Sequence, residues 1–98
     1  MDKPIIKEPP AKIDGATVLL WAWSGAEPFG YVGDIDSPDS TAIYGLAICT
    51  YGRPESFYRF SCDINWETAQ DGVYTSAEEA VRRLPDQYRQ VEAEWQTM

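Results

Sequence analysis

The sequence predicts an α+β fold, an antiparallel sheet of about four strands with a C-terminal helical segment packed on one face. Three observations predict it. From Tyr58 to Trp66 the even positions are Tyr58, Phe60, Cys62, Ile64 and Trp66, and the odd positions between them are Arg59, Ser61, Asp63 and Asn65. Strand side chains point to alternate faces, so this stretch reads as a strand with one buried and one wet face, as antiparallel sheets allow. Shorter segments rich in β-branched and aromatic residues precede it, divided by turn chemistry. After it, Ser76-Ala77-Glu78-Glu79 is a capping box that opens a helix.

Taken in order, residues 1–13 read as a flexible arm ahead of a single domain over 14–98. Pro4, Pro9 and Pro10 interrupt regular structure there, and Lys3, Lys7, Glu8 and Lys12 keep it hydrated. Ile5 and Ile6 are apolar enough to add to a sheet edge. The first strand is 17–23, with Trp21 and Trp23 on one face and Val18, Leu20 and Ala22 on the other. Apolar on both sides, it suits the centre of a sheet or a strand with one face that binds something. Residues 29–32 form a short strand, weakened by Gly30 and flanked by Gly33, as edge strands often are. A loop over 34–40 leads to a third strand, 41–51, and Gly52-Arg53-Pro54-Glu55 connects it to the fourth, 56–67. Asp71-Gly72 reads as a turn.

The helix that follows carries Ala77, Ala80, Val81 and Leu84 as one apolar stripe, and Pro85 ends or kinks it. Beyond it, Tyr88, Val91 and Trp95 have helical spacing, while Val91, Ala93 and Trp95 alternate with Gln90, Glu92 and Glu94 as a strand would. The Gln, Glu, Arg and Ala between them favour helix, with strand as the alternative.

Hydrophobic residues make up 44% of the 98, and four are tryptophan, enough to build a core. No apolar run approaches the ~20 residues a membrane-spanning helix requires. Met1-Asp2-Lys3-Pro4 does not resemble a secretory signal, which makes the cytoplasm the expected compartment. The formal charge is −8, and residues 13–52 hold Asp14, Glu27, Asp34, Asp36 and Asp39 without a single Lys or Arg. Nucleic acid needs a basic footprint, and anionic membrane needs the same; neither is expected as a partner. A basic protein partner is favoured, chiefly through its rate of association.

The chain has no histidine, which removes the usual acid–base residue and any Ser-His or Cys-His nucleophile pair. No catalytic residue, metal or cofactor is expected. Asp34-Ile35-Asp36-Ser37-Pro38-Asp39 has calcium-type oxygens but lacks the glycine and terminal glutamate of an EF-hand loop. The alternating oxygens of Asp63, Asn65 and Glu67 read as the wet face of a strand. Cys49 and Cys62 are expected as free, buried thiols, because Cys49 sits opposite the bulky face of Tyr44, Leu46 and Ile48.

The stretch from Phe60 to Glu67, with Gln70-Asp71-Gly72-Val73-Tyr74 and Ser76-Ala77-Glu78-Glu79-Ala80, resembles a pattern in small uncharacterised bacterial proteins. Some of these are similar to immunity proteins of polymorphic toxin systems. The resemblance covers about a fifth of the chain and carries over no functional residue. It implies a small acidic protein that acts by binding another protein.

The expected function is therefore a non-catalytic, acidic binding protein, immunity-like, that blocks a basic partner. Its contact residues would be Asp34, Asp36 and Asp39, with Tyr31 and Tyr44 as aromatic anchors. The alternative is a small-molecule binding or accessory domain with a tryptophan-lined cavity between sheet and helix.

Overall fold

The computed structural model of the chain describes residues 7–33, 40–85, 88 and 91–98. Its strands are β1 (Lys12–Ile13), β2 (Ala16–Trp23), β3 (Gly30–Val32), β4 (Thr41–Ile43), β5 (Gly45–Thr50), β6 (Phe57–Cys62), β7 (Thr68–Tyr74) and β8 (Gln96–Thr97). A single helix, α1 (Ala77–Arg82), lies between β7 and β8. The main sheet runs β1-β2-β5-β6-β7, all pairs antiparallel, and curls as a half-barrel. β8 also pairs with β2, while β3 and β4 form a separate hairpin. The architecture is thus antiparallel sheet plus one short helix near the C-terminus, with more than the four strands expected.

The third expected strand divides at Tyr44. Residues before it pair with β3, and residues after it pair with β2 and β6. The Tyr44 amide donates to Cys62 O at 3.0 Å, and its carbonyl accepts from Ser24 N at 2.9 Å, so the backbone stays bonded while it changes sheets. The fourth expected strand stops at Cys62. There Asp63 Oδ1 accepts from the amides of Asn65 and Glu67 at 2.8 and 3.0 Å, and Trp66 takes a left-handed conformation at φ 63°. A carboxylate that satisfies its own following amides competes with the ladder and turns the chain. The oxygens of 63–67 therefore belong to a turn, not to a wet strand face, and Ile64 is 51% exposed rather than in the core.

The turn starts β7, and Asp71 and Gly72, expected as a turn, lie inside that strand opposite Phe60 and Arg59. A Cβ at position 72 would lie 3.1 Å from the Tyr74 hydroxyl oxygen, so the tyrosine side chain packs over this glycine. A local turn signal was outweighed by six cross-strand pairs with β6.

Both faces of β2, β5 and β6 carry buried residues, while β7 is largely exposed. One face bears Val18, Trp21, Ala47, Cys49, Phe60, Cys62 and Trp66. The other bears Ala22 and Leu46, which pack with Phe29, Ile43 and Tyr88. Val18 was expected opposite Trp21. A bulge at Leu19 puts Val18 against Cys49 and Leu20 against Ile48, which returns Val18 to the tryptophan face. The odd positions of β6 are not wet either: Arg59 and Ser61 are buried under the α1 side.

The expected cap forms at Ser76, with the reciprocal bond shifted by one residue to Thr75. The Ser76 hydroxyl accepts from Glu79 N at 3.0 Å, and the Glu79 carboxylate reaches back to Thr75 N at 3.4 Å. α1 stops before Pro85, as proline requires. The favoured helical reading of 86–95 fails over 91–95, where no helix is present. There Val91, Ala93 and Trp95 are half-buried and Glu92 and Glu94 exposed, following the strand-like alternation. The reason is the edge of β2: β1 covers only Ala16 and Thr17, and β8 occupies the vacant stretch at Leu20 and Trp21.

The chain of the expected arm is partly placed: Pro9 is buried, Ala11 O accepts from Val18 N, and residues 12–13 are β1. Ile5 and Ile6 lie outside the described residues. Among the described residues, no helix is long and apolar enough to cross a membrane.

Candidate functional site

The loop expected to contact a partner joins β3 to β4. The hairpin pairs Gly30 with Ile43, Tyr31 with Ala42 and Val32 with Thr41. Ile43 is fully buried and Val32 packs beside it, so this side anchors the hairpin to the core. Tyr31 and Ala42 occupy its other side, both half-buried. Asp34, Asp36 and Asp39 lie outside the described residues. The Tyr44 ring stacks on Trp23 with centroids 5.8 Å apart. Trp23 in turn lies 5.5 Å from Trp66, so Tyr44 is held at the end of an aromatic row.

That row runs into the buried cluster on one face of the sheet. Trp21 meets Trp66 edge-on at 6.4 Å. The Trp66 indole N–H donates to Lys7 O at 3.1 Å, and the Lys7 ammonium donates to Ile64 O at 2.8 Å, so residue 7 closes over this end of the core. The ring of Trp66 covers Gly45, where a Cβ would lie 2.5 Å from it. Three of the four tryptophans are thus consumed by packing on one face. The fourth, Trp95, lines a cavity of about 430 Å³ between the end of α1 and the C-terminal segment, together with Val81, Leu84, Val91 and Ala93. No strand residue lines this cavity, and Trp95 is its one tryptophan, so it is not the tryptophan-lined cavity expected between sheet and helix.

Cys49 and Cys62 are free and buried. The reason differs from the expected one. Both point to the tryptophan face, but Cys62 pairs with Gly45 and Cys49 with Tyr58. Four residues of strand separate them, on the order of 13 Å of backbone, too far for a disulfide. Burial pushes both thiols up to about 12, with the Asp14 carboxylate adding to the effect. A thiol held protonated in this way is inert. We expect neither cysteine to react with a thiol reagent near pH 8 until denaturant is added, and then both to react; rapid labelling of the native protein would contradict this. Raised native values also fix a sign. The stabilisation is complete below the ordinary thiol value of 9.0 and is lost as pH rises towards about 12.

Compared with protein-family models, curated proteins and solved structures, the chain gives no match. The site must be read from its own geometry. Among the described residues, no three His, Cys, Asp or Glu side chains are grouped to hold a metal ion.

Two features were not anticipated. Arg59, expected on a wet face, is 5% exposed and donates from its guanidinium to Ala80 O at 3.3 Å and Arg83 O at 3.0 Å. A second cavity, of about 340 Å³, is lined by Tyr51, Arg53, Ser56 and Tyr58 at the β5–β6 connection. The available signal was that Arg53 is the first base after the base-free span.

Proposed function

We propose that the chain is a non-catalytic binding protein, immunity-like, that engages a basic protein partner through the acidic end of the β3–β4 hairpin. The observation that supports this reading is the hairpin itself. Its register makes 33–40 the connecting segment, and that segment carries Asp34, Asp36 and Asp39 in a stretch of sequence free of Lys and Arg. One side of the hairpin is fixed to the core by Ile43, and Tyr31 lies on the other. A rigid support lowers the entropy cost of presenting charges to a partner. Carboxylates there would raise the association rate with a cationic groove, and Tyr31 and Tyr44 would add aromatic contact area.

The test starts with capture of the partner by the tagged protein from host lysate at low and high salt. Replacing Asp34, Asp36 and Asp39 together by lysine is then expected to weaken binding of that purified partner by roughly tenfold or more and to flatten its salt dependence. Unchanged affinity in the triple variant would sink the assignment of the contact site.

A further inference from the structure

At the opposite end of β5 from Tyr44, the β5–β6 connection encloses the cavity of about 340 Å³. Its walls are two tyrosines. Tyr51 meets Tyr58 edge-on at 5.3 Å, and Tyr58 stacks on the buried Phe60 at 6.0 Å with planes 17° apart. The Tyr51 ring is held in place by its own hydroxyl, which donates to Asp14 O at 2.9 Å. The exposed Val73 is the cross-strand neighbour of Tyr58 and extends the apolar surface beside it.

Against these walls stand groups with no internal work to do. Among the described residues, the Arg53 guanidinium, the Ser56 hydroxyl and the Tyr58 hydroxyl have no hydrogen-bond or ion-pair partner. Arg53 is the only base between Lys12 and Arg59 in the sequence. A cavity walled by two tyrosines, with one uncommitted, planar, bidentate cation in its lining, has a definite chemical complement. The volume lies at the lower end of the range for small-molecule sites, enough for one ring and its substituents.

We propose that this cavity binds a planar aromatic carboxylate. The ring lies against Tyr51 and Tyr58, the carboxylate takes the fork of Arg53, and a ring hydroxyl or amine is within the reach of Ser56. The protein's net negative charge opposes any anion at long range, so Arg53 must supply the local attraction. Binding is expected to be weak, with Kd on the order of 1 mM for a single-ring ligand.

The probe is 4-hydroxybenzoate, followed by amide chemical shifts of the full chain, with its uncharged methyl ester as control. Saturable shifts confined to residues 51–58 and to their neighbours on β7 are expected. The ester and the Arg53→Gln variant should each bind about tenfold more weakly. Arg53 is exposed in a loop, so that variant keeps the native spectrum elsewhere; Tyr58→Phe separates the hydroxyl from the ring without opening the core. No saturable shift at about 20 mM probe would overturn the proposal. So would shifts scattered over the surface, or equal binding by Arg53→Gln. None of these outcomes bears on the acidic hairpin, which lies at the other end of β5.

Discussion

Replacing Trp66 by alanine will cost the protein about 3–5 kcal/mol, a large part of the 5–15 kcal/mol that holds a domain of this size together. The ring is 5% exposed, touches Trp21 and Trp23, and covers Gly45 across a gap that admits no methyl group. Its removal leaves a cavity in the most aromatic part of the core and also frees Lys7 O from its indole donor. The backbone contributes separately, because residue 66 sits at φ 63°. Trp66→Gly should therefore be more stable than Trp66→Ala, by up to about 1 kcal/mol, despite losing the same ring.

Gly45 is the other half of this contact. Gly45→Ala places a Cβ 2.5 Å from the Trp66 ring and should cost about 1–3 kcal/mol by overpacking. In the double variant the ring is gone and the methyl group has room, so the two costs should fall well short of additive. Urea unfolding of the four proteins measures this directly. Strict additivity would show that Gly45 and Trp66 act independently and that the close approach is unimportant.

The second large effect concerns Arg59, the one buried cation of the described core. It binds no carboxylate among the described residues. Its guanidinium instead donates to two carbonyls at the C-terminal end of α1 and lies 5.1 Å from the centre of the Tyr74 ring. Those carbonyls carry the negative end of the helix dipole, so a cation there is favourable on two counts. One cost is visible: the Arg59 Nε is buried without a hydrogen-bond partner. A charged hydrogen-bonding group of this kind contributes about 1.5–3 kcal/mol. Arg59→Ala should lose that much and also the packing of the side-chain stem. Arg59→Met keeps the stem and removes the donors, so it isolates the polar part. In both variants the amides of α1 should exchange with solvent faster than those of β2 and β5, because a six-residue helix has little stability of its own. A methionine variant as stable as the parent, with α1 still protected, would show that the arginine is a tolerated burden rather than the tie between helix and sheet.

Local chemistry in the chain announced several elements. The strand entered at Tyr58, the β-branched and aromatic run of 17–23 and the Ser76 cap appear where residue types placed them, although that strand ends at Cys62 instead of running to 67 and its odd positions Arg59 and Ser61 are buried. Each depends on neighbours a few residues away. Other signals were locally ambiguous, and a distant partner decided them. Asp71-Gly72 has turn chemistry but runs opposite β6. Tyr88, Val91 and Trp95 fit a helical period while Val91, Ala93 and Trp95 fit a strand period, and the vacant edge of β2 settles the end of the segment. Arg59 was read as hydrated because charged side chains usually are, and no nearby residue reveals that helix-end carbonyls will lie above it. Of the candidate site, the acidity of 34–39 and the presence of Tyr31 and Tyr44 were legible. The stacking of Tyr44 on Trp23 and the meeting of Arg53, Ser56 and the two tyrosines around one cavity were not.

The sequence by itself determined the antiparallel class, the start of the helix, the negative charge and the absence of histidine chemistry. These follow from side-chain period, capping and composition, which are local or additive properties. Only the tertiary structure decided how many strands pair, which face each cysteine and tryptophan occupies, and what the buried arginine binds. A bulge at Leu19 and a turn at Asp63 each reassign side chains to faces, and pairing across the sheet fixes which residues meet. That is a property of register, and register is set by the whole set of contacts rather than by any one stretch of chain.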